Sequence, residues 1–112
     1  MIEISFNDFL NVDIRVGEVT HAEPFTEARK PAIKLWIDFG PEIGKKQSSA
    51  QIIKHYIPED LIGKQVMAVV NFPPLQIGKF LSEVLVLGLS DSAGGIILIG
   101  PDERVINGER MH

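Results

Sequence analysis

Two short apolar runs, separated by a proline-rich segment, constrain the fold of this chain more than any other feature. The runs are residues 66–70 (VMAVV) and 84–87 (VLVL). Runs this short and this rich in β-branched residues are typical of buried strands. Pro73 and Pro74 lie between the runs, have no backbone N–H and therefore predict a stiff loop, not a central strand. The pair of strands is thus expected to hold a polar and aromatic loop, which is a common position for a binding site.

Alternation of apolar and polar residues predicts further strands, each with one buried face. Residues 12–19 and 33–39 alternate strictly, residues 45–52 form a polar strand, and residues 96–99 form a last apolar strand. Gly17 is typical of a bulge or of a close approach by another backbone. The side chains expected to face the core from the second of these segments are Ile33, Leu35, Ile37 and Phe39.

Two short helices are predicted from their end signals. Ser5 precedes an apolar i, i+3, i+4 spacing, and Asp8 follows three residues later, as in a capping box. We expect this N-terminal helix to cover an open end or edge of the sheet. Pro58 starts a one-turn helix that Gly63 ends. Five main strands, with this helix between the third and fourth, predict an all-β protein with a five-stranded OB-fold barrel; an open α+β sheet is the alternative.

Length and composition narrow the class of protein. The 112 residues predict one domain, residues 1–112. The chain has no cysteine and only three scattered histidines, so we expect no disulfide, metal or cofactor. The absence of a long apolar run and of a signal-peptide pattern predicts a cytoplasmic protein without membrane insertion. No catalytic constellation is visible, so we expect a protein that is not an enzyme.

Positive charge is concentrated in the middle of the chain. The net charge is −4, and it divides into −5 for residues 1–28, +4 for residues 29–79 and −3 for residues 80–112. This distribution predicts one cationic patch that suits a nucleic acid. Ordinary solvated lysines and an exposed polar edge strand are the alternatives. The side chains expected to contact phosphate are Arg29, Lys30, Lys34, Lys45, Lys46, Ser48, Lys54 and Lys79.

Aromatic and hydrogen-bonding side chains predict a second kind of binding, to unfolded peptide. Trp36 is expected on the polar face of its strand, either as a stacking platform or covered by a partner chain or the N-terminal helix. A groove with apolar walls and free polar groups would accept both the side chains and the backbone of a peptide. The residues expected to line it are Trp36, Gln51, Asn71, Phe72, Pro74, Phe80 and Ser82. The apolar run at 96–99 predicts a dimer interface.

Five motifs carry a resemblance to a known family. Residues 12–17 (VDIRVG) and 28–35 (ARKPAIKL) resemble the opening of the tRNA-binding OB domain, which is also appended to methionyl-tRNA synthetases. Residues 48–52 (SSAQI), 70–78 (VNFPPLQIG) and 82–88 (SEVLVLG) are similar to the stand-alone CsaA branch of that family. The resemblance covers nearly the whole chain. It implies a homodimeric, secretion-related chaperone that binds unfolded precursor proteins and the SecA translocase.

One departure from the synthetase-type domains bears on the ligand. Those domains have roughly Asn-Leu-Lys-Pro where this chain has residues 71–74 (NFPP), so an apolar ring and a second proline replace a cation. The change favours apolar peptide over tRNA at this surface. Binding of tRNA is the alternative function, and whether the two ligands share one surface stays open.

Overall fold

The computed structural model describes all residues, 1–112, and consists mainly of β-strands. The helices are α1 (Phe6–Leu10), α2 (Gly40–Ile43) and α3 (Pro58–Leu61). The strands are β1 (Ile14–Phe25), β2 (Ala32–Asp38), β3 (Lys45–Ala50), β4 (Gln65–Val69), β5 (Leu75–Ile77), β6 (Phe80–Ser82), β7 (Leu85–Val86), β8 (Gly88–Ser90) and β9 (Ile96–Leu98). None of the helices has the length and apolar character that crossing a bilayer requires.

Five antiparallel strands form the central sheet, in the order β3-β2-β1-β4-β7. The sheet curls until its edge strand β3 meets the segment that precedes β7. There the Glu83 N–H donates to the Gln47 carbonyl at 2.8 Å, and the Ser48 hydroxyl donates to the Val84 carbonyl at 2.9 Å. This contact closes the curled sheet, and α3 lies between β3 and β4 in the chain. The predicted all-β, OB-like fold is therefore confirmed, and the open α+β sheet is rejected.

Strand β1 serves two sides of the curled sheet. Its first half pairs with β4 and its second half with β2, and the register slips between Val19 and His21. The irregularity thus lies beyond Gly17, which instead marks a tight contact. A Cβ at Gly17 would lie 2.5 Å from the Ile37 Cγ2 and 2.7 Å from the Phe39 ring. The residue is small because core side chains, not another backbone, press against it.

The core lies inside the curl, where the inward faces of the strands meet. Strict alternation along β2 buries Ile33, Leu35, Ile37 and, just beyond the strand, Phe39, as predicted. The opposite face of β2 carries the half-buried Trp36. The buried side chains of β2 therefore support its opposite face, on which Lys34 and Trp36 were expected to contact a ligand.

Three local features differ from the sequence-based expectations. Residues 71–83 are not a simple loop, because β5 and β6 form a hairpin in which Ile77 faces Phe80 and Gly78 takes a φ of +58°. The predicted strand 83–89 is divided, since β7 pairs with β4 and β8 with β9. The capping box of α1 is confirmed, but none of the helix residues is buried and Phe6 is 71% exposed.

Asp13 and Arg15 join the start of β1 to the C-terminal segment. The Arg15 Nε donates to the Asp13 Oδ1 at 2.6 Å, and the Arg15 Nη1 donates to the Gly108 carbonyl at 3.1 Å. Arg110 adds a second cation 3.5 Å from the same carboxylate oxygen. The hydrogen bond from Arg15 is the main reason why the pKa of Asp13 lies below its ordinary value.

The pair is expected to make stability fall in acid. A carboxyl group with a lower pKa in the folded than in the unfolded state stabilises the fold above its unfolded pKa of about 3.9. That stabilisation is lost as the pH falls through the folded-state pKa. In urea unfolding between pH 2 and 7, Asp13→Asn should therefore show a lower, flatter curve, while Asp102→Asn, at an exposed site, should follow the wild type. Equal pH slopes for all three proteins would contradict this role.

Candidate functional site

A groove of about 560 Å³ lies between the end of β3 and the β5–β6 hairpin. It faces solvent, and most of its lining comes from apolar side chains and prolines. Its lining residues are Ser49, Gln51, Phe72, Pro73, Pro74, Leu75, Ile77, Ser82, Glu83, Val84 and Leu85. The volume and the mixed lining are those of a site that takes an apolar group and orients it by a few polar contacts.

Four of the seven predicted peptide-contact residues lie in this groove: Gln51, Phe72, Pro74 and Ser82. Phe72 is 52% exposed, so its ring is free to contact a ligand. Gln51 is exposed, and its side-chain amide forms no hydrogen bond within the chain. The Ser82 hydroxyl is buried and accepts a hydrogen bond from the Ser49 N–H at 3.1 Å, so Ser82 shapes the wall of the groove.

Asn71 lies outside the groove, contrary to the prediction, because its amide is engaged elsewhere. The Asn71 Oδ1 accepts from the Asp13 N–H at 3.0 Å, and the Nδ2 donates to the Asn11 carbonyl at 2.8 Å. These bonds fix the segment between α1 and β1 against the end of β4. These bonds give Asn71 a structural role at this junction, although its exposed Nδ2 keeps a second N–H without a partner in the chain.

Phe80 and Trp36 also lie outside the groove, in a small second core. The Phe80 ring is 8% exposed and packs edge-on against Phe25, with a centroid distance of 5.3 Å. Trp36 contacts Phe80 at 6.0 Å and His21 at 5.0 Å. Within this chain, Trp36 therefore lies against His21 and Phe80. Only a small part of the Phe80 ring is therefore available to a ligand.

Lys34 and Lys79 meet in a separate depression of about 390 Å³, which Glu27, Gly78 and Phe80 also line. The Lys34 Nζ lies 3.4 Å from a Glu27 carboxylate oxygen and 4.8 Å from the centroid of the Phe25 ring. A hydrogen bond from the Thr26 hydroxyl, supported by Lys34, lowers the pKa of Glu27. The charge of Lys34 is thus compensated within the chain, whereas Lys79 is exposed and unpaired.

Arg29 and Lys30 lie at the tip of the loop between β1 and β2, and both are exposed. They line a third depression, of about 310 Å³, together with Ser49, Gln51 and Ile77. These last three residues also line the groove. The apolar groove therefore continues into the basic loop, and the predicted basic and peptide-binding residues are brought together here.

The other predicted phosphate contacts do not belong to this surface. Ser48 is fully buried with its hydroxyl bonded to the Val84 carbonyl, so it is not available to a ligand. The Lys54 ammonium donates to the Ala93 carbonyl at 2.6 Å. Lys45 and Lys46 begin β3 and line none of the three depressions. The single cationic patch of the prediction is therefore reduced to Arg29, Lys30 and the nearby Lys79.

Sequence reasoning missed several groove residues. Leu75 and Ile77 alternate with Gln76 directly after the two prolines, and this alternation was the available signal for a short strand. Glu83 had no comparable signal, because a lone acidic residue beside a strand is ordinary. It enters the groove only because β3 and the segment before β7 meet in space.

Comparisons with known proteins establish the family and agree with the fold. The model of the family described as "Putative tRNA binding domain" matches residues 14–110. The crystal structure of the chaperone CsaA from Bacillus anthracis str. Ames is similar, with a TM-score of 0.92 and 57% identity over 99% of this chain and 100% of that chain. The CsaA chaperone protein of Picrophilus torridus gives a TM-score of 0.91 and 49% identity over 98% and 100% of the two chains.

Curated relatives are much longer proteins. The methionine–tRNA ligase of Porphyromonas gingivalis is 38% identical over 109 residues, which are 97% of this chain but 16% of the ligase. Only a small part of that ligase therefore corresponds to this chain. The structures similar to this chain include CsaA chaperones. Because the family model matches most of its length, the chain belongs to the tRNA-binding-domain family.

Proposed function

We propose that this chain is a non-catalytic binding protein that holds unfolded polypeptide segments in the groove beside Gln51, Phe72 and Pro74. The observation that carries the proposal is an open groove of about 560 Å³ with apolar walls and one free side-chain amide. Unfolded segments expose apolar side chains and unpaired backbone groups. The walls suit the side chains, and the Gln51 amide is able both to donate to and to accept from a peptide backbone.

The similarity to CsaA chaperones extends this proposal to a biological role. We propose a cytoplasmic chaperone of protein secretion, whose clients are precursor proteins and whose partner is the SecA translocase. The 57% identity to a CsaA chaperone over nearly the whole chain supports a chaperone activity. Retention of the chain on immobilised SecA would support SecA as a partner. Retention no greater than on immobilised albumin would contradict that part of the proposal.

We also propose that two copies form a homodimer. Leu89 and Ile97 face each other across β8 and β9, and both are exposed. Ile4, Phe6 and Ile106 are further large apolar side chains in solvent. Exposed apolar side chains on the β8–β9 pair are typical of an interaction surface, and a second copy would cover them. Sedimentation equilibrium should give twice the mass of the chain; the mass of one chain would contradict the dimer.

Replacing Phe72 with alanine is expected to weaken binding of an unfolded client by about tenfold. The ring is half-exposed at the groove, so its removal takes away apolar contact area without opening the core. A tenfold loss corresponds to about 1.4 kcal/mol, which is ordinary for an aromatic contact. The measurements are fluorescence anisotropy with a labelled unfolded peptide and protection of a denatured client from aggregation.

Ile62→Ala is the matched control for Phe72→Ala. Ile62 is 53% exposed but follows α3 and does not line the groove. We expect its loss to leave both measurements unchanged. Equal behaviour of the two variants would move the peptide site away from the groove. Phe80 is unsuitable for this test, because its ring is part of a packed cluster and its removal would disturb folding.

Binding of tRNA is the second candidate function, and membership of the tRNA-binding-domain family favours it. Arg29, Lys30 and Lys79 are exposed, form no ion pair within the chain and lie around the same region. Contacts from these three side chains would be to phosphate, and recognition would be of RNA shape more than of sequence.

A further inference from the structure

We infer that the groove selects extended segments that carry a basic side chain at one end and an acidic side chain about four residues away. This inference rests on the proposed peptide-binding function and specifies its substrate class. It depends on two charged ends of one continuous depression. The middle is apolar, and the two ends have opposite sign.

Glu83 supplies the negative end. It is the only charged residue that lines the groove. Its Oε1 accepts from the Gln47 N–H at 3.1 Å, and its own N–H donates to the Gln47 carbonyl, so the side chain is fixed beside β3. No Lys, Arg or His of the chain forms an ion pair with it. A half-buried carboxylate among apolar walls therefore remains uncompensated.

Arg29 and Lys30 supply the positive end. They line the depression that shares Ser49, Gln51 and Ile77 with the groove. Neither cation forms an ion pair within the chain. A ligand that runs along the groove therefore meets an unpaired carboxylate at one end and two unpaired cations at the other.

The strand β3 sets the distance between the two ends. Glu83 is bonded to Gln47, while the depression of the basic loop begins at Ser49 and reaches Gln51, one residue beyond the strand. Gln47 and Gln51 therefore mark the outer limits of this path. Four residues of extended chain separate these two positions, which is about 13 Å. An extended ligand has the same rise per residue, so opposite charges four residues apart match both ends. A ligand can run along the groove in either chain direction, provided that its basic side chain meets Glu83 and its acidic side chain meets Arg29 and Lys30. The order of these two ligand residues is opposite in the two directions.

Binding of five matched peptides tests the inference. Each has the apolar centre Leu-Val-Leu, flanked by Lys and Glu, Glu and Lys, two Lys, two Glu or two Gln. Partly exposed ion pairs each change affinity by a few-fold, so the better mixed peptide should bind about tenfold more tightly than the neutral one at low salt. It should also bind more tightly than both like-charged peptides.

Two variants test which residues form the negative and positive ends of the groove. Glu83→Gln keeps an oxygen that can accept from the Gln47 N–H, so the contact with β3 is retained while the charge is removed. The ratio of mixed to neutral affinity should fall to about threefold, and the double variant Arg29→Gln, Lys30→Gln should reduce it similarly. A ratio that neither variant changes would overturn the inference.

The peptide series also separates this inference from the function on which it rests. Binding of the neutral peptide with no gain for either mixed peptide would overturn the charge preference and leave the groove as a peptide site. Failure of all five peptides to bind would overturn both. Tightest binding by a like-charged peptide would show that one end of the groove alone governs selection, which also contradicts the inference.

Discussion

Replacing Gly17 with valine is expected to lower the free energy of unfolding by about 3 kcal/mol, at the upper end of the usual cost of overpacking a core. Gly17 lies in β1 against Ile37 and Phe39, which are both fully buried. Its Cβ would stand 2.5 Å from the Ile37 Cγ2, and neither neighbour has solvent into which it can move. Because small domains are stable by only about 5–15 kcal/mol, the midpoint of thermal unfolding should fall by more than 10 °C.

Urea unfolding followed by circular dichroism measures this effect. Thr20→Val is the matched control, because it places the same side chain on the exposed face of the same strand. We expect the control to cost about 1 kcal/mol, because it removes the exposed hydrogen bond that the Thr20 hydroxyl donates to the Trp36 carbonyl at 3.2 Å. A Gly17→Val protein as stable as the wild type would contradict the tight contact between β1 and the Ile37–Phe39 corner.

Binding of tRNA at the basic loop is expected to weaken by about 15- to 40-fold between 50 and 200 mM salt. Three cations without internal partners, Arg29, Lys30 and Lys79, would release about two to three counterions from the RNA. Binding of the neutral apolar peptide should change little over the same range, because apolar contacts displace no counterions. Filter binding for tRNA and anisotropy for the peptide provide the comparison.

The double variant Arg29→Gln, Lys30→Gln should reduce the slope of the tRNA salt dependence by about 1.4 to 1.8. Lys54→Gln is the control, since that ammonium already donates to the Ala93 carbonyl and lies away from the loop. An unchanged slope in the double variant would place tRNA elsewhere on the protein. Absence of tRNA binding at 50 mM salt would leave peptide binding as the remaining function.

Local sequence signals were sufficient wherever a residue's environment is set by its neighbours in the chain. The alternation of Ile33, Leu35 and Ile37 predicted the buried face of β2, and Ser5 with Asp8 predicted the start of α1. Both patterns depend on geometry that repeats within a few residues. The OB-like order of the elements followed from adding these segments together.

Side chains with distant partners were not predictable in this way. Ser48 belongs to a polar strand and was expected to face a ligand, but it is buried because the Val84 carbonyl reaches it from the other edge of the sheet. Asn71 is engaged by Asn11 and Asp13, far away in sequence. The charge of Lys34 is compensated by Glu27 across a loop. In each case the deciding atom comes from a segment that no local pattern connects to the residue.

The contact that closes the curled sheet has a mechanical consequence for the groove. Only a few hydrogen bonds join β3 to residues 82–84, and the two walls of the groove stand on opposite sides of that junction. Transient opening of these hydrogen bonds would therefore widen the groove, and a ligand that contacts both walls would stabilise the closed form. Slower exchange of the Glu83 amide proton with deuterated solvent in the presence of bound peptide would measure this stabilisation directly.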